Sequence, residues 1–507
     1  MKHPDTTIWV TGDQCSMKNT ALKDSDKSKS VVLMIESVAR GNQIQYHKKK
    51  LVLIYSIMRH FRLELEEAGW KVDYYEEYPD FSKAVSEHFA KHKTSKLILM
   101  DQSEFGANQK LQELVPSSVE VEFTPHCNFI STRQEFEDLH KTPESRVTME
   151  NFYRSMRRKT GLLMEGEEPV GGSWNYDKNN RLPPDRDFKW KEIIRFEPDK
   201  VTRSVIKMVD KHFVDHPGST DNFMYAVTRA DAILAAKDFL ANRLNEFGPH
   251  QDAMLEGKPF LNHSILSPYI NTCLLHPLEL ARKAEEEYRE GRAQLSSTEG
   301  FIRQLIGWRE FVWRVYWRLM PEYKERNELD ANHELPDFFW TGNTKMRCMS
   351  DSLKTTIENG YAHHIVRLML LGNFSLIARL SPQATNKWFT QMFVDGYDWV
   401  MVPNVIGMTL HADGGYVGTK PYAASANYIN KMSDYCKKCY YDPKQSTGDK
   451  ACPFNTLYWD FLIRNEKKFK SNHRMAMMMK NLAGKPDHWR AEISAHAKKI
   501  VRNLDSI

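Results

Sequence analysis

Four of the seven cysteines fall between Cys348 and Cys452, in the order Cys348, then Cys436-Lys437-Lys438-Cys439, then Cys452-Pro453. A C-x2-C pair places two sulfurs on one tight turn. Two more thiolates brought beside it close either a Zn(Cys)4 site or an iron-sulfur cluster. The proline after the last cysteine leans toward the cluster; the bland alternative is four separate buried thiols.

Other stretches mix small, polar and aromatic residues in ways a plain core does not require. His263 to Tyr269 (HSILSPY) ends beside Pro268 at an expected helix start, where hydroxyls and free backbone N-H groups can hold a diphosphate. An ordinary capped turn explains it too. Phe301 to Trp313 (FIRQLIGWREFVW) places Gln304, Trp308 and Arg309 on neighbouring turns of one helix. Asn359 to Arg367 (NGYAHHIVR) puts His363 and His364 inside an expected helix, with His364 and Arg367 on one face. Asp395, in FVDGYD, could pair with Arg367 as a buried ion pair.

The elements that must carry these residues are of two kinds. Thr7 to Thr11, Val31 to Ile35, Lys71 to Tyr75 and Lys96 to Met100 are short apolar or β-branched runs, and Lys48 to Trp70 has helical spacing between the second and third. Strands alternating with helices imply an α/β domain with a parallel, Rossmann-like sheet. No G-x-G-x-x-G or P-loop follows the first run, which leads instead into Thr11-Gly12-Asp13-Gln14; the second ends at Glu36-Ser37. Polar residues at strand ends point into the usual ligand crevice, although helix capping explains Asp13 and Ser37 nearly as well. Gly171 to Asp187 is rich in Gly, Pro, Asn and Asp and reads as a long ordered loop. Beyond Pro198 the pattern is almost wholly helical. The expected organisation is an α/β domain over 1-141, a linker over 142-197 and a large all-α domain over 198-507.

At 507 residues and 59.2 kDa the chain exceeds one ordinary core. A mean hydropathy of -0.59, no long apolar run and no signal-peptide layout at the first residues lead to the expectation of a soluble cytoplasmic protein with no membrane partner. In that reducing setting clustered cysteines read as metal ligands. Net charge is only +5, but from Phe461 onward eleven Lys/Arg face four acids, a stripe that suits either a phosphate backbone or a solvated helix face.

Taken in order, the HSILSPY, FIRQLIGWRE, GYAHHIVRLML and FVDGYDW blocks resemble the cryptochrome/photolyase superfamily. With the GDQ turn, the MIES strand end, HKKKLVLIYSIMRHF, the GGSWNYDKNNR loop and the cysteine set, they resemble its bacterial iron-sulfur branch, the prokaryotic (6-4) photolyases and related cryptochromes. The resemblance implies an N-terminal antenna domain holding 6,7-dimethyl-8-ribityllumazine, with Gln14 and Glu36 as contacts, and a helical domain holding FAD. Ser264 and Leu266 would contact the FAD phosphates, Gln304 and Arg309 would line its site, Arg367 and Asp395 would pair beside the isoalloxazine, and Asn404 would face flavin N5. Cys348, Cys436, Cys439 and Cys452 would hold a [4Fe-4S] cluster.

The implied activity is light-driven repair of (6-4) photoproducts in UV-damaged DNA by a monomer. The lesion must leave the duplex to meet the flavin, so a cationic surface is needed, with Arg181 and the C-terminal stripe as contributors. His364 is the candidate proton donor, with His363 in support and Asp252 orienting the histidine. Tyr422 and Tyr428 are placed at the lesion pocket or toward the cluster, and Trp388 and Trp340 form a candidate electron-transfer chain, with core packing as the alternative. A non-repairing, signalling cryptochrome is the main rival. An iron-sulfur enzyme related to primases is the third possibility, and it would lack a flavin spectrum.

Overall fold

The computed structural model describes residues 4-142, 145-185 and 187-507. Residues 1-3 of the expected first domain and 143, 144 and 186 of the expected linker lie outside the described residues. Five strands form where apolar and β-branched residues cluster: β1 (Thr6–Trp9), β2 (Ser30–Ser37), β3 (Val72–Tyr78), β4 (Lys96–Met100) and β5 (Glu120–Thr124). All pairings are parallel and the order is β3-β2-β1-β4-β5. Central β1 pairs from Thr6 to Trp9 with both β2 and β4. The chain reverses its direction of winding between β3 and β4, so the ligand crevice of such a sheet lies beyond the carboxyl ends of β1 and β4.

β5 was not anticipated. Its sequence, EVEFT, carries Glu120 and Glu122 among the apolar residues, a charged pattern typical of an edge strand.

The period of two sorts the sheet residues onto two faces. Trp9, Leu33, Ile35 and Leu99 pack with Ala84, Val85 and Phe89 of the Phe81–His92 helix. Ile8, Val10, Val32 and Met34 face Leu51, Val52 and Met58 of the Lys48–Glu67 helix, and that layer continues without interruption into the core of the helical region. The two domains therefore share a core along this helix.

The stretch expected as linker contains a further helix, Met149–Thr160. Thr148 caps its start by accepting from Asn151 N-H, and Gly161 ends it at φ 72, while Phe152, Tyr153 and Met156 are buried. Among the described residues no helix is long and apolar enough to cross a membrane.

One polar network fastens the face covered by the Phe81–His92 helix. Asp73 accepts from His88 Nδ1 at 2.7 Å and Lys91 Nζ at 2.6 Å, and Thr7 Oγ1 meets His88 Nε2 at 2.9 Å. Burial disfavours the Asp73 carboxylate, but the His88 and Lys91 hydrogen bonds and charges outweigh it and hold its pKa well below the usual 3.8. A folded-state pKa below the unfolded one gives stability that is present above the unfolded value and is lost as pH falls. Thermal melts from about pH 6 down to about pH 3 are therefore expected to show a steeper loss of midpoint for the wild type than for Asp73→Asn, which is the less stable protein at neutral pH. Parallel curves would contradict this role.

Candidate functional site

The Arg367 guanidinium meets the Asp395 carboxylate through two bonds, Nη1 to Oδ1 at 2.9 Å and Nη2 to Oδ2 at 3.1 Å. Both side chains are largely buried, so each needs the other. Arg367 Nε donates to Ala362 O at 2.6 Å, and its flat face lies 3.9 Å from the centre of the Phe393 ring. Asp395 also accepts from Ser267 Oγ at 2.6 Å, and its backbone carbonyl accepts from Asn271 Nδ2 at 3.1 Å. Ser267 and Asn271 belong to the short Ser267–Asn271 helix that begins at the expected Pro268. They were not singled out beforehand, although Ser267 lies inside the HSILSPY block.

Three π-helical turns carry three of the proposed flavin residues: Gln304 in Arg303–Trp308, Arg367 in Val366–Gly372 and Asn404 in Pro403–Thr409. The last two turns pack against each other. A π turn inserts a residue and redirects side chains, and such turns are frequent at functional sites. Gln304 and Asn404 are half-buried and bond to carbonyls one turn back, Gly300 O at 3.2 Å and Val400 O at 2.8 Å. Arg309 points elsewhere: it donates to Asn128 O at 2.8 Å and lies over Phe129 and Trp399, at the junction of the two domains.

The histidine pair is not inside a helix. The Arg347–Asn359 helix stops at Gly360, whose φ of 65 suits glycine, and Tyr361 to His363 are extended before a new helix begins at His364. The break sends the two rings apart. His363 is buried and stacks on His263, with ring centres 4.2 Å apart and planes 10° from parallel. His364 begins the new helix and keeps its side chain exposed, in reach of the Arg367 charge. Burial and then the Arg367 charge push its pKa down to about 4, and the ring is neutral at pH 7. Burial drives His263 to about 3.

Asp252 does not orient these rings. Its hydrogen-bond partner is Tyr428 and its nearby cation is Arg181, and burial raises its pKa to about 6. Arg181 pairs with Asp177, which also receives Arg303 Nη2 at 3.2 Å. Arg474, Asp177, Arg181 and Arg303 all act electrostatically on Tyr422, so these residues form one polar rim. Of the C-terminal stripe, Arg464, Lys468 and Arg490 are tied to Asp460, Glu328 and Glu466, which leaves fewer free cations than composition suggested.

Ser264 lines a cleft with Tyr225, Arg243 and Tyr269, and its Oγ accepts from Leu266 N at 3.4 Å. Arg243 Nε, His263 Nε2 and His363 Nδ1 are buried without a partner. Orphaned polar atoms of this kind fit a polar ligand.

Buried Trp388 lies 6.5 Å, ring centre to ring centre, from half-exposed Trp340 and 5.8 Å from Phe393. The three rings lead from the surface to the face of Arg367.

All four expected cysteines line one cavity, with Met346 and Tyr435 among its other walls. Cys348 lies on the Arg347–Asn359 helix, Cys436 on the Tyr435–Lys438 turn, and Cys452 caps the Pro453–Arg464 helix. Pro453 is thus also a normal first helical residue. Tyr435 OH donates to Asp351 at 2.9 Å and pins the turn to the first helix. Burial and the neighbouring sulfurs raise the thiol pKa values, to about 11 at Cys436 and about 12 at Cys452, so four thiolates here require a compensating cation.

At the sheet crevice Gln14 Nε2 donates to Asp101 O at 2.9 Å, and its Oε1 is buried without a partner. Glu36 is spent within the fold: Arg59 holds both oxygens at 2.7 and 2.9 Å, Tyr74 donates to one of them and Glu77 N-H to the other. Lys50 was missed because a KKK run reads as solvated charge. It is buried, donates to Gly396 O, and lies 4.3 Å from the centre of the Tyr46 ring; burial lowers its pKa to about 7.

Residues 8–225 match the model of a family described as deoxyribodipyrimidine photo-lyase-related protein. A protein of Agrobacterium fabrum (strain C58 / ATCC 33970) named (6-4) photolyase is 44% identical over 504 residues, covering 98% of this chain and 99% of that one. Two solved structures share the fold. A bacterial class III photolyase from Agrobacterium tumefaciens matches with a TM-score of 0.57 at 15% identity, over 99% of this chain and 98% of that one. A cryptochrome of Synechocystis sp. PCC6803 matches with 0.60 at 12%, over 99% and 100%.

Because Arg367 and Asp395 are buried together, Asp395→Asn leaves an uncompensated guanidinium. Its expected cost is about 3 kcal/mol of stability, read as a lower denaturant midpoint. A change within error would show that water already solvates the pair.

Proposed function

The chain belongs to the photolyase family, and we propose that it is a (6-4) photolyase that repairs UV-damaged DNA with light. The observation that carries this reading is the buried Arg367–Asp395 pair, whose guanidinium charge also acts on the neighbouring His364. Held against this pair, FAD would supply light-driven electron transfer to the lesion. Ser264, with Leu266 N-H turned toward its Oγ, would hold the phosphates next to Arg243, whose orphaned Nε supports a polar ligand there. Arg367 and Asp395 flank the ring system, and Gln304 and Asn404 complete the walls from their π turns. Arg309 braces the domain junction.

Arg181 and Arg474 guide the phosphate backbone, and Tyr422 and Tyr428 flank the flipped base. His364 gives the lesion a proton. In the free protein burial and Arg367 keep the ring neutral, and phosphates of bound DNA oppose that charge and raise its pKa. The Trp340–Trp388 path returns electrons from the surface.

The cavity, into which three segments bring four thiols, would hold a [4Fe-4S] cluster. The cluster serves as a cross-link between helices. The crevice beyond β1 and β4 holds the ribityllumazine antenna, with Gln14 Oε1 as its free acceptor.

The test is to illuminate the photoreduced protein with blue light on duplex DNA carrying one (6-4) lesion. Restored pyrimidines are expected; full FAD binding without restoration would favour a signalling cryptochrome instead. His364→Asn is expected to keep its flavin spectrum and lose roughly 100-fold or more in repair. The repair rate of the wild-type complex should fall as pH rises through the His364 pKa, a dependence the variant lacks. Cys436→Ala should yield less soluble protein, with iron and flavin lost together. A soluble, flavin-loaded variant deficient only in turnover would contradict the cross-link role.

A further inference from the structure

Three cysteines lie outside the cavity of four, and two of them meet where the domains join. Cys127 lies on the loop that follows β5, and Cys273 lies just after the Ser267–Asn271 helix, held at φ 63. Their sulfurs and a ring nitrogen of His126 lie within 4.8 Å of one another. Cys127 is half-buried and Cys273 fully buried. The loop is already fastened to the helical domain on each side of Cys127: His276 Nε2 contacts Cys127 O at 3.1 Å, Asn128 Nδ2 donates to Ile270 O, and Arg309 donates to Asn128 O at 2.8 Å.

A metal is the first thing such a trio suggests, but the histidine opposes it. His126 Nδ1 accepts from Asn128 N-H at 3.1 Å, so the neutral ring carries its proton on Nε2 and has no lone pair left for a cation. Lys18 and Arg309 also stand near Cys127 and would repel one. The same surroundings favour a thiolate. The two sulfurs lie close enough to share a proton, and the Lys18 and Arg309 charges favour the thiolate at Cys127. Burial disfavours a thiolate at Cys273. Cys127 is thus the partner beside the cations and within reach of solvent, and Cys273 is the sheltered one.

We propose that Cys127 and Cys273 are a modification site, a thiol pair that reacts with hydroperoxides and closes to a disulfide across the domain junction. The Cys127 thiolate attacks the terminal oxygen of the hydroperoxide. The O-O bond breaks, the alkoxide takes a proton from solvent and leaves as the alcohol, and Cys127 becomes a sulfenic acid. The Cys273 sulfur then attacks Cys127. The S-S bond forms, the S-O bond breaks, and the hydroxyl leaves with the Cys273 proton as water. Two thiols have been oxidised by two electrons and one peroxide reduced by two. The sulfurs must close by at most about 3 Å to reach a bonded distance near 2.05 Å. The bond would tether the helix whose Ser267 and Asn271 hold Asp395, so oxidation in one domain is felt at the ion pair of the other.

The experiment treats the native, flavin-loaded protein with limiting tert-butyl hydroperoxide in the absence of air, alkylates the remaining thiols, and maps peptides without reduction. A Cys127–Cys273 cross-linked peptide is expected before Cys15 is touched, and dithiothreitol should abolish it. In Cys273→Ser, dimedone should trap a sulfenic acid at Cys127. Should that variant fold poorly, the wild-type map alone decides. Two alkylated free thiols at these positions after Cys15 has reacted would overturn the proposal. So would one equivalent of zinc released when Cys127 is alkylated, because that would make the trio a metal site.

Discussion

A buried guanidinium-carboxylate pair is costly unless its geometry is close to ideal, and the interior of this protein is arranged to keep that geometry between Arg367 and Asp395. Four segments converge to do so. The π turn aims Arg367, Ala362 O takes its remaining Nε-H, Phe393 covers its face, and Ser267 and Asn271 fix Asp395 from a separate helix. The N-terminal domain reaches the same place from behind. Lys50 holds Gly396 O, next in the chain to Asp395, while His47 N-H holds Gln391 O at 2.8 Å and His47 Nε2 meets Ile357 O at 2.8 Å. The close fit leaves no room at Gly218, where a Cβ would lie 2.1 Å from the His47 ring. Each contact removes freedom from one partner of the pair, and together they make the ion pair a rigid wall.

The cysteine cavity lies at the other end of one of these struts. The Arg347–Asn359 helix carries Cys348 in its first turn, and after its Gly360 stop the chain passes directly into His363 and His364. Whatever joins the four sulfurs therefore fixes the origin of the segment that presents the histidines. The rings of Trp340, Trp388 and Phe393 lead to the face of Arg367 by another route.

Much of this was legible in the sequence wherever a residue type has few uses. Four cysteines with a C-x2-C pair, an Arg and an Asp flanked by aromatics, and apolar runs of strand length all point one way, and the cavity, the ion pair and four of the five strands follow them. What was not legible depends on partners that are remote in the chain. Glu36 was read as a ligand contact because strand ends usually present one, yet Arg59, a turn along the facing helix, takes both of its oxygens. Lys50 has the charge of a surface residue, and its burial follows from carbonyls more than three hundred positions away. His363 and His364 were placed inside a helix because the spacing permits it; a single left-handed glycine decided otherwise. Asp252 was assigned to a histidine and Tyr428 to the lesion pocket or the cluster, because nothing in their spacing pairs the two.

The most direct measurement is a crystal structure of the FAD-loaded protein. The account predicts the isoalloxazine ring against the Arg367–Asp395 pair, with its phosphates at Ser264 and Arg243 and the His364 ring between the flavin and the Arg181 rim. A flavin bound elsewhere, with that pair unchanged and untouched, would contradict it.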